Sequence, residues 1–188
     1  MNRWDIINKY IKENNYTDYL EIGLSGGSCF NMINIQNKES VECDKNAETP
    51  TYFMTSDNFF KQNKKTYDII FIDGLHHADQ VLRDIENSLK ILNPKGTILC
   101  HDLKPPYELA QKVPRENEEW TGDCWKAYAY LKGKRKDLTM YIYNKDYGVG
   151  VIKKGEQKPV KELQISIEKM DWNFYLNHNK FFDYRNIA

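Results

Sequence analysis

No stretch of this sequence is apolar for anything near the ~20 residues that a membrane-spanning helix needs. The first residues, Met1-Asn-Arg-Trp-Asp5, also lack the apolar core of a secretion signal. The expectation is a soluble, cytoplasmic protein with no membrane partner. Charge of one sign is missing too. Lys+Arg and Asp+Glu both number 27, so there is no basic excess for gripping nucleic acid. The one dense basic run, Lys132-Gly-Lys-Arg-Lys136, reads as a solvated turn. Cysteines are few and scattered: Cys29, Cys43, Cys100 and Cys124 form no C-x-x-C pair, which argues against structural zinc and a redox dithiol. There is no internal repeat. Aromatic residues, by contrast, make up 13% of the chain, enough to argue for an ordered core, and 188 residues suffice to bury one.

One stretch organises the rest: Tyr19-Leu-Glu-Ile-Gly-Leu-Ser-Gly-Gly-Ser28. It reads as a buried strand running into a glycine turn (Gly23, Gly26, Gly27), with a helix opening at Ser28 and reaching about Ile35. Glycines let backbone N–H groups approach a ligand closely, as in nucleotide-type cofactor sites. A helix is expected before it, over residues 2–15, with Trp4, Ile7, Tyr10 and Ile11 at helical spacing. After it come short strands at 40–44 and 51–54, and a helix through Phe60 capped by Thr55-Ser-Asp57. Tyr67-Asp-Ile-Ile-Phe-Ile-Asp73 is a continuous apolar run, the mark of a central parallel strand covered on both faces. A helix over 78–92 presents Val81, Leu82, Ile85, Leu89 and Leu92, and Asn93-Pro-Lys-Gly96 stops it before a strand at 97–100. Residues 103–119 read as a long loop, 120–131 as a helix, and 138–143 with 148–152 as an antiparallel hairpin. The remaining residues suggest one or two helices rich in aromatics.

Strands alternating with helices make this an α/β chain: a Rossmann-like, doubly wound, seven-stranded sheet with an antiparallel C-terminal hairpin and helices on both faces. Ligands of such sheets sit at the carboxyl ends of the strands, where Glu21, Gly23, Asp44, Asp73, His76, His101 and Asp102 collect. Residues 1–155 are expected to form the main domain. Residues 156–188 are expected to be a helical extension packed on it or on a second subunit, which allows a homo-oligomer.

In these residues the chain resembles the class I S-adenosylmethionine-dependent methyltransferases. Glu21-x-Gly23-x-x-x-Gly27 is similar to the family's first motif, and Asp44, or Glu42 two residues before it, to its ribose-holding acid. Ile72-Asp-Gly-Leu-His76 and Cys100-His-Asp102 resemble a small-molecule O-methyltransferase branch of the methyltransferase domain 24 type. The resemblance covers roughly residues 1–155. It implies S-adenosylmethionine held by Glu21, Gly23, Ser25, Gly27, Asp44, Ser56, Asp57 and Asp73. It also implies a small-molecule hydroxyl acceptor, such as a sugar or glycan precursor. The turn itself is not a G-x-G-x-x-G pyrophosphate loop, consistent with a donor that has no phosphate. Lys104-Pro-Pro-Tyr107 resembles the (D/N)PPY signature of nitrogen methyltransferases, but it follows the wrong strand and begins with Lys.

An alcohol is a poor nucleophile at neutral pH, so a base or a metal must take its proton. His76, His101 and Asp102 are the catalytic candidates, either histidine serving as base. In a metal-dependent version Asp73, His101 and Asp102 would hold a divalent ion such as magnesium. Trp120, Asp123 and Trp125 fit either an acceptor wall or core. Two rival readings stand beside this one: a nicotinamide-dependent oxidoreductase on a similar sheet, and a non-catalytic protein that binds S-adenosylmethionine.

Overall fold

The apolar run expected at the centre of the sheet is β4 (Tyr67–Ile72) in the computed structural model, which describes residues 1–187. Its side chains alternate between two cores. Ile69 and Phe71 join Ile6, Ile7 and Tyr10 on one face, and Ile70 and Ile72 join Val81, Ile85 and Trp125 on the other. A strand with two buried faces has no use for a polar one, which explains the unbroken run.

β1 (Asp18–Ile22) pairs parallel with β4 on one side, followed outward by β2 (Asn37–Glu42) and β3 (Tyr52–Phe53), both parallel. On the other side β5 (Leu92–Cys100) is parallel to β4. β7 (Val149–Lys154) then runs antiparallel to β5, and β6 (Leu138–Tyr143) antiparallel to β7. The predicted hairpin is therefore present, with its second strand inserted next to β5. An eighth strand, β8 (Tyr184–Arg185), lies parallel to β6 at the edge, where the sequence suggested helix. The order is β3-β2-β1-β4-β5-β7-β6-β8.

Helix α1 (Arg3–Asn14) carries a reciprocal cap between Asn2 and Asp5 and ends at Asn15 in the left-handed region. Helix α2 (Ser28–Met32) is shorter than expected. Asn8 of α1 explains this: its amide donates to the Met32 carbonyl at 2.9 Å and its carbonyl accepts from Asn34 N–H at 2.8 Å, so both backbone groups are satisfied outside a helix. Helix α3 (Ser56–Gln62) is capped by the Thr55 hydroxyl, as expected. Helix α4 (Ala78–Ile91) follows the predicted span. β5 begins earlier than predicted, because Leu92 pairs with Tyr67 before a register shift absorbs Pro94 and Gly96.

Helix α5 (Trp125–Lys134) starts five residues later than expected, after Gly122 at φ +59. The segment 103–124 is also less superficial than its composition suggests. Leu103 and Ala110 are fully buried, and Gln111 accepts a 3.0 Å hydrogen bond from the Trp125 indole. The C-terminal part is broken into short turns around α6 (Trp172–His178). Among the described residues no helix is long and apolar enough to cross a membrane.

Candidate active site

The carboxyl ends of β1 and β4 touch because neither carries a side chain at the point of contact. A Cβ at Gly23 (φ +90) would lie 2.2 Å from the Asp73 carbonyl oxygen, and Gly74 packs against Ile22. The turn that leaves β1 is fastened by Glu42 at the end of β2. One carboxylate oxygen accepts from the N–H groups of Leu24 (3.0 Å) and Ser25 (3.1 Å), the other from Cys43 (2.7 Å) and Asp44 (2.9 Å). Partial burial would raise the Glu42 pKa, but these four N–H donors outweigh it and hold it low. Asp44 is exposed beside it, its side chain accepting from Asn46 N–H at 2.9 Å. Glu21 sits beneath the turn, 1% exposed, accepting a hydrogen bond from the Tyr19 hydroxyl. Burial pushes its carboxyl up to about 8 against the pull of that bond.

Asp73, His76, His101 and Asp102 do meet. Asp102, two residues past the end of β5, takes a left-handed conformation (φ +61) that Asp tolerates better than most residues, and its carboxylate faces His76 after β4. His76 lies between Asp73 (Nε2 to Oδ1, 3.4 Å) and Asp102 (Nδ1 to Oδ2, 3.3 Å), stacked on Trp120 at 5.2 Å. His101 turns Nδ1 to Asp73 (3.3 Å) and Asp102 (3.2 Å). Two further residues close the cluster that sequence reasoning did not single out. Asp146, in the β6–β7 turn, faces His101 Nε2 at 3.4 Å. Arg3, at the start of α1, donates from its backbone N–H (2.7 Å) and guanidinium (3.2 Å) to Asp146 and lies 3.5 Å from Asp73.

Electrostatics follow from this packing. Burial alone would lower both imidazole pKa values, but the surrounding carboxylates outweigh it: His76 is raised, and His101 well above its ordinary range. In return the histidines hold Asp73 far below the usual carboxylate range despite its burial. Many of these contacts are poorly aligned. Nδ1 of His76, Nδ1 of His101 and Nε of Arg3 are buried and make no hydrogen bond, although carboxylates stand within 3.5 Å of each.

The cluster forms one wall of a cavity of about 790 Å³. Ser25, Glu42 and Asp44 line the side next to the glycine turn, while Arg115, Glu119, Trp120 and Tyr147 line the other. Of the expected acceptor residues, Trp120 faces this cavity. Trp125 is fully buried core, and Asp123 caps α4 by accepting from Ala78 N–H at 2.7 Å. A smaller cavity of about 120 Å³ adjoins it, with Ser56 in its wall; Asp57 points to Arg83 at 3.7 Å. For a cation, Asp73, His76 and Asp102 each offer a ligand atom, all within 4.8 Å of one another; among the described residues His101 is not part of that group.

Residues 49–103, which run from before β3 to just past β5, match a family described as Methyltransferase domain. No curated protein matches the chain. Solved structures do. The chain is similar to the Podospora anserina methyltransferase PaMTH1, solved with bound SAH, at 16% identity over 82% of this chain and 78% of that one, with a TM-score of 0.61. It is similar to TomG, a Streptomyces achromogenes O-methyltransferase of tomaymycin synthesis solved with SAM, at 13% identity over 81% and 79%, TM-score 0.59. A Bacillus cereus O-methyltransferase in complex with SAH gives 14% identity over 80% and 79%, TM-score 0.54. At such identities the shared property is the fold. The chain therefore shares the fold of these SAM- and SAH-bound methyltransferases, and its strands β3 to β5 resemble the Methyltransferase domain.

Proposed function

We propose that the protein transfers the methyl group of S-adenosylmethionine to a hydroxyl of a small polar acceptor, such as a sugar or glycan precursor. The observation that carries this reading is the single cavity shared by the glycine turn and the His76–Asp102 pair. The donor, a substrate here, brings an electrophilic methyl on a sulfonium. Glu42 and Asp44 stand at the end of β2, where carboxylates can accept from ribose hydroxyls, and the backbone of Ser25 and Gly26 borders the methionine portion.

As the acceptor oxygen bonds to the methyl carbon, the carbon–sulfur bond breaks and the acceptor's proton passes to the His76 imidazole. Exposure favours His76 over His101 as that base, since their side chains are 20% and 5% exposed. Asp102 and Asp73, one at each ring nitrogen, orient the His76 ring and stabilise its charge. A base must start unprotonated, and these carboxylates raise the pKa of His76. Turnover is therefore expected to climb as pH rises above the ordinary histidine value of about 6.5. A flat profile on that limb would remove His76 from the role.

Asp73, His76 and Asp102 could hold a divalent ion, since the buried Nδ1 of His76 lacks a hydrogen-bond partner; one imidazole beside two carboxylates suits a first-row transition ion better than magnesium, which prefers oxygen ligands. Bound there the ion would polarise the acceptor oxygen as a Lewis acid.

The test is labelled methyl transfer onto a panel of sugars, phenols and nucleotides, with and without excess chelator, beside calorimetry with S-adenosylmethionine and NAD. Turnover on a hydroxyl acceptor supports the reading, and tight binding of NAD alone overturns it. Unchanged turnover in chelator removes the metal. Asp102→Ala is expected to lower turnover by about 10²–10⁴-fold while donor binding persists.

A further inference from the structure

The rim of the main cavity holds a carboxylate fixed by two neutral partners. Glu119 lines the cavity on the side away from the glycine turn. Its Oε1 accepts from the Tyr147 hydroxyl and its Oε2 from the Tyr107 hydroxyl, each at 2.7 Å. The two phenols come from different elements: Tyr147 from the β6–β7 turn, Tyr107 from the end of the Lys104-Pro-Pro-Tyr107 run. Their hydrogen bonds, that of Tyr147 foremost, lower the Glu119 pKa, so the group stays charged. Arg115, the cation of the same loop, is committed elsewhere. It donates to the carbonyls of Asn117 (2.8 Å) and Glu118 and lies over the Trp120 ring. Tyrosine hydroxyls can hold a carboxylate in place, but they leave its negative charge unmatched.

The backbone that delivers Tyr147 is a costly one. Asp146 (φ +47) and Tyr147 (φ +55) are consecutive non-glycine residues in the left-handed region, ahead of Gly148 at φ +87. Side chains with a Cβ are disfavoured there, and such positions gather at binding sites. Each residue is accounted for by what it reaches: Asp146 stands 3.4 Å from His101, and Tyr147 holds Glu119. Neither phenol ring is packed away, since Tyr147 is 42% exposed and Tyr107 38%. Deeper in the same cavity the His101 side chain, 5% exposed, leaves Nδ1 without a hydrogen bond, as a space built to receive a polar ligand would. Glu119 is followed directly by Trp120, whose ring stacks on His76 at 5.2 Å. One small molecule therefore spans from Glu119 to the base.

We propose that Glu119 binds a cationic amine of the acceptor, which makes the acceptor an amine-bearing alcohol such as an amino sugar. This rests on the hydroxyl-methylation reading above and narrows its acceptor. A carboxylate with exposed tyrosine rings beside it offers an ammonium an ion pair and π faces, and meets a phosphate with repulsion. The same contact decides which atom is methylated. An ammonium held by Glu119 keeps its proton and has no lone pair, so the methyl goes to the hydroxyl beside His76.

The experiment is labelled methyl transfer by the full chain onto matched acceptors: hexosamines and aminocyclitols, their N-acetyl forms, neutral sugars, sugar phosphates and phenols. The free amines should show a kcat/KM roughly 10–100-fold above that of their N-acetyl forms, mainly through KM, with methyl ethers as products. Glu119→Gln should erase that advantage by raising KM for the amines, with kcat and the N-acetyl rates little changed. Glu116→Gln removes the same charge from the same loop, where it pairs with Lys112 at 2.9 Å, and should leave the advantage intact. Equal or better use of N-acetyl forms, neutral sugars, sugar phosphates or phenols overturns the proposal alone. So do N-methylated products, or a Glu119→Gln protein that keeps the preference. Transfer to no alcohol of the set, by a protein that binds S-adenosylhomocysteine, overturns the hydroxyl-methylation reading and this inference with it.

Discussion

His101 is the most constrained side chain of the site, with carboxylates at both ring nitrogens and a buried position that would otherwise favour the neutral ring. Its folded pKa is raised above the exposed histidine value of about 6.5, so its ion pairs stabilise the fold fully below that pH and fade as pH climbs through the folded value. The carboxylates behave in the opposite sense. Burial works against the Asp146 charge, but His101 and Arg3 hold its pKa down at about 2. Its contribution is present above the exposed Asp value of about 3.9 and is lost as pH falls toward the folded one. The expected result is a melting temperature that is highest between about pH 4 and 6.5 and declines on both sides. Asp146→Asn should weaken the hold on His101, so that the alkaline decline is smaller and ends at lower pH; identical alkaline limbs in wild type and variant would count against this account. The sequence showed four of the six residues of this cluster. Asp73, His76, His101 and Asp102 are legible because each follows an apolar run whose carboxyl end must face the ligand side of a parallel sheet. Arg3 and Asp146 are not, since one opens an ordinary amphipathic helix and the other sits in a hairpin turn. Only tertiary closure brings them together across 143 positions.

At the level of elements, strands were easier to read than the ends of helices. β1, β4 and the hairpin announce themselves through runs of apolar and β-branched residues. The early stop of α2 depends on Asn8 of another helix, and the late start of α5 on a left-handed glycine packed against His76. No local pattern encodes either. The glycine turn after β1 is legible, and its demands are unequal. Gly23 combines φ +90 with a would-be Cβ 2.2 Å from the Asp73 carbonyl, whereas a Cβ at Gly26 meets nothing within 4 Å. Gly23→Ala should therefore cost more than the ~1–2 kcal/mol of a left-handed backbone alone, because β1 and β4 must also separate. Gly26→Ala should be tolerated to within ~0.5 kcal/mol. Urea unfolding of both variants checks the contrast, and equal midpoints would mean that the strand ends do not depend on this contact.

Taken whole, the molecule hides its last segment most thoroughly. The aromatic set of residues 156–187 could be read from sequence as packing on the sheet or on a second subunit. In the folded chain Leu163, Met170, Tyr175 and Phe182 lie in the same core as Trp125, Tyr128 and the β6 side chains. The Trp125 ring alone meets Phe174, Tyr175 and Phe182 with centroids 5.1–6.4 Å apart, and Tyr128 donates to the Phe182 carbonyl at 2.9 Å. β8 then covers the outer edge of β6, at Ile142 and Tyr143. A two-residue strand has no periodicity to detect, and aromatics in short turns carry no helical stripe, so the segment's true place was invisible until the sheet was closed. We propose that residues 1–155 do not form a separable domain, because their removal from the extension would bare Trp125, Tyr128 and the β6 edge to water. Phe182→Ala, at a fully buried site, should cost about 3–5 kcal/mol. A chain ending at residue 155 should keep much of its far-ultraviolet dichroism, lose its near-ultraviolet signal and bind a hydrophobic dye. A sharp, cooperative melt of that shortened chain at the temperature of the full-length protein would show instead that the extension is an accessory to a domain complete without it.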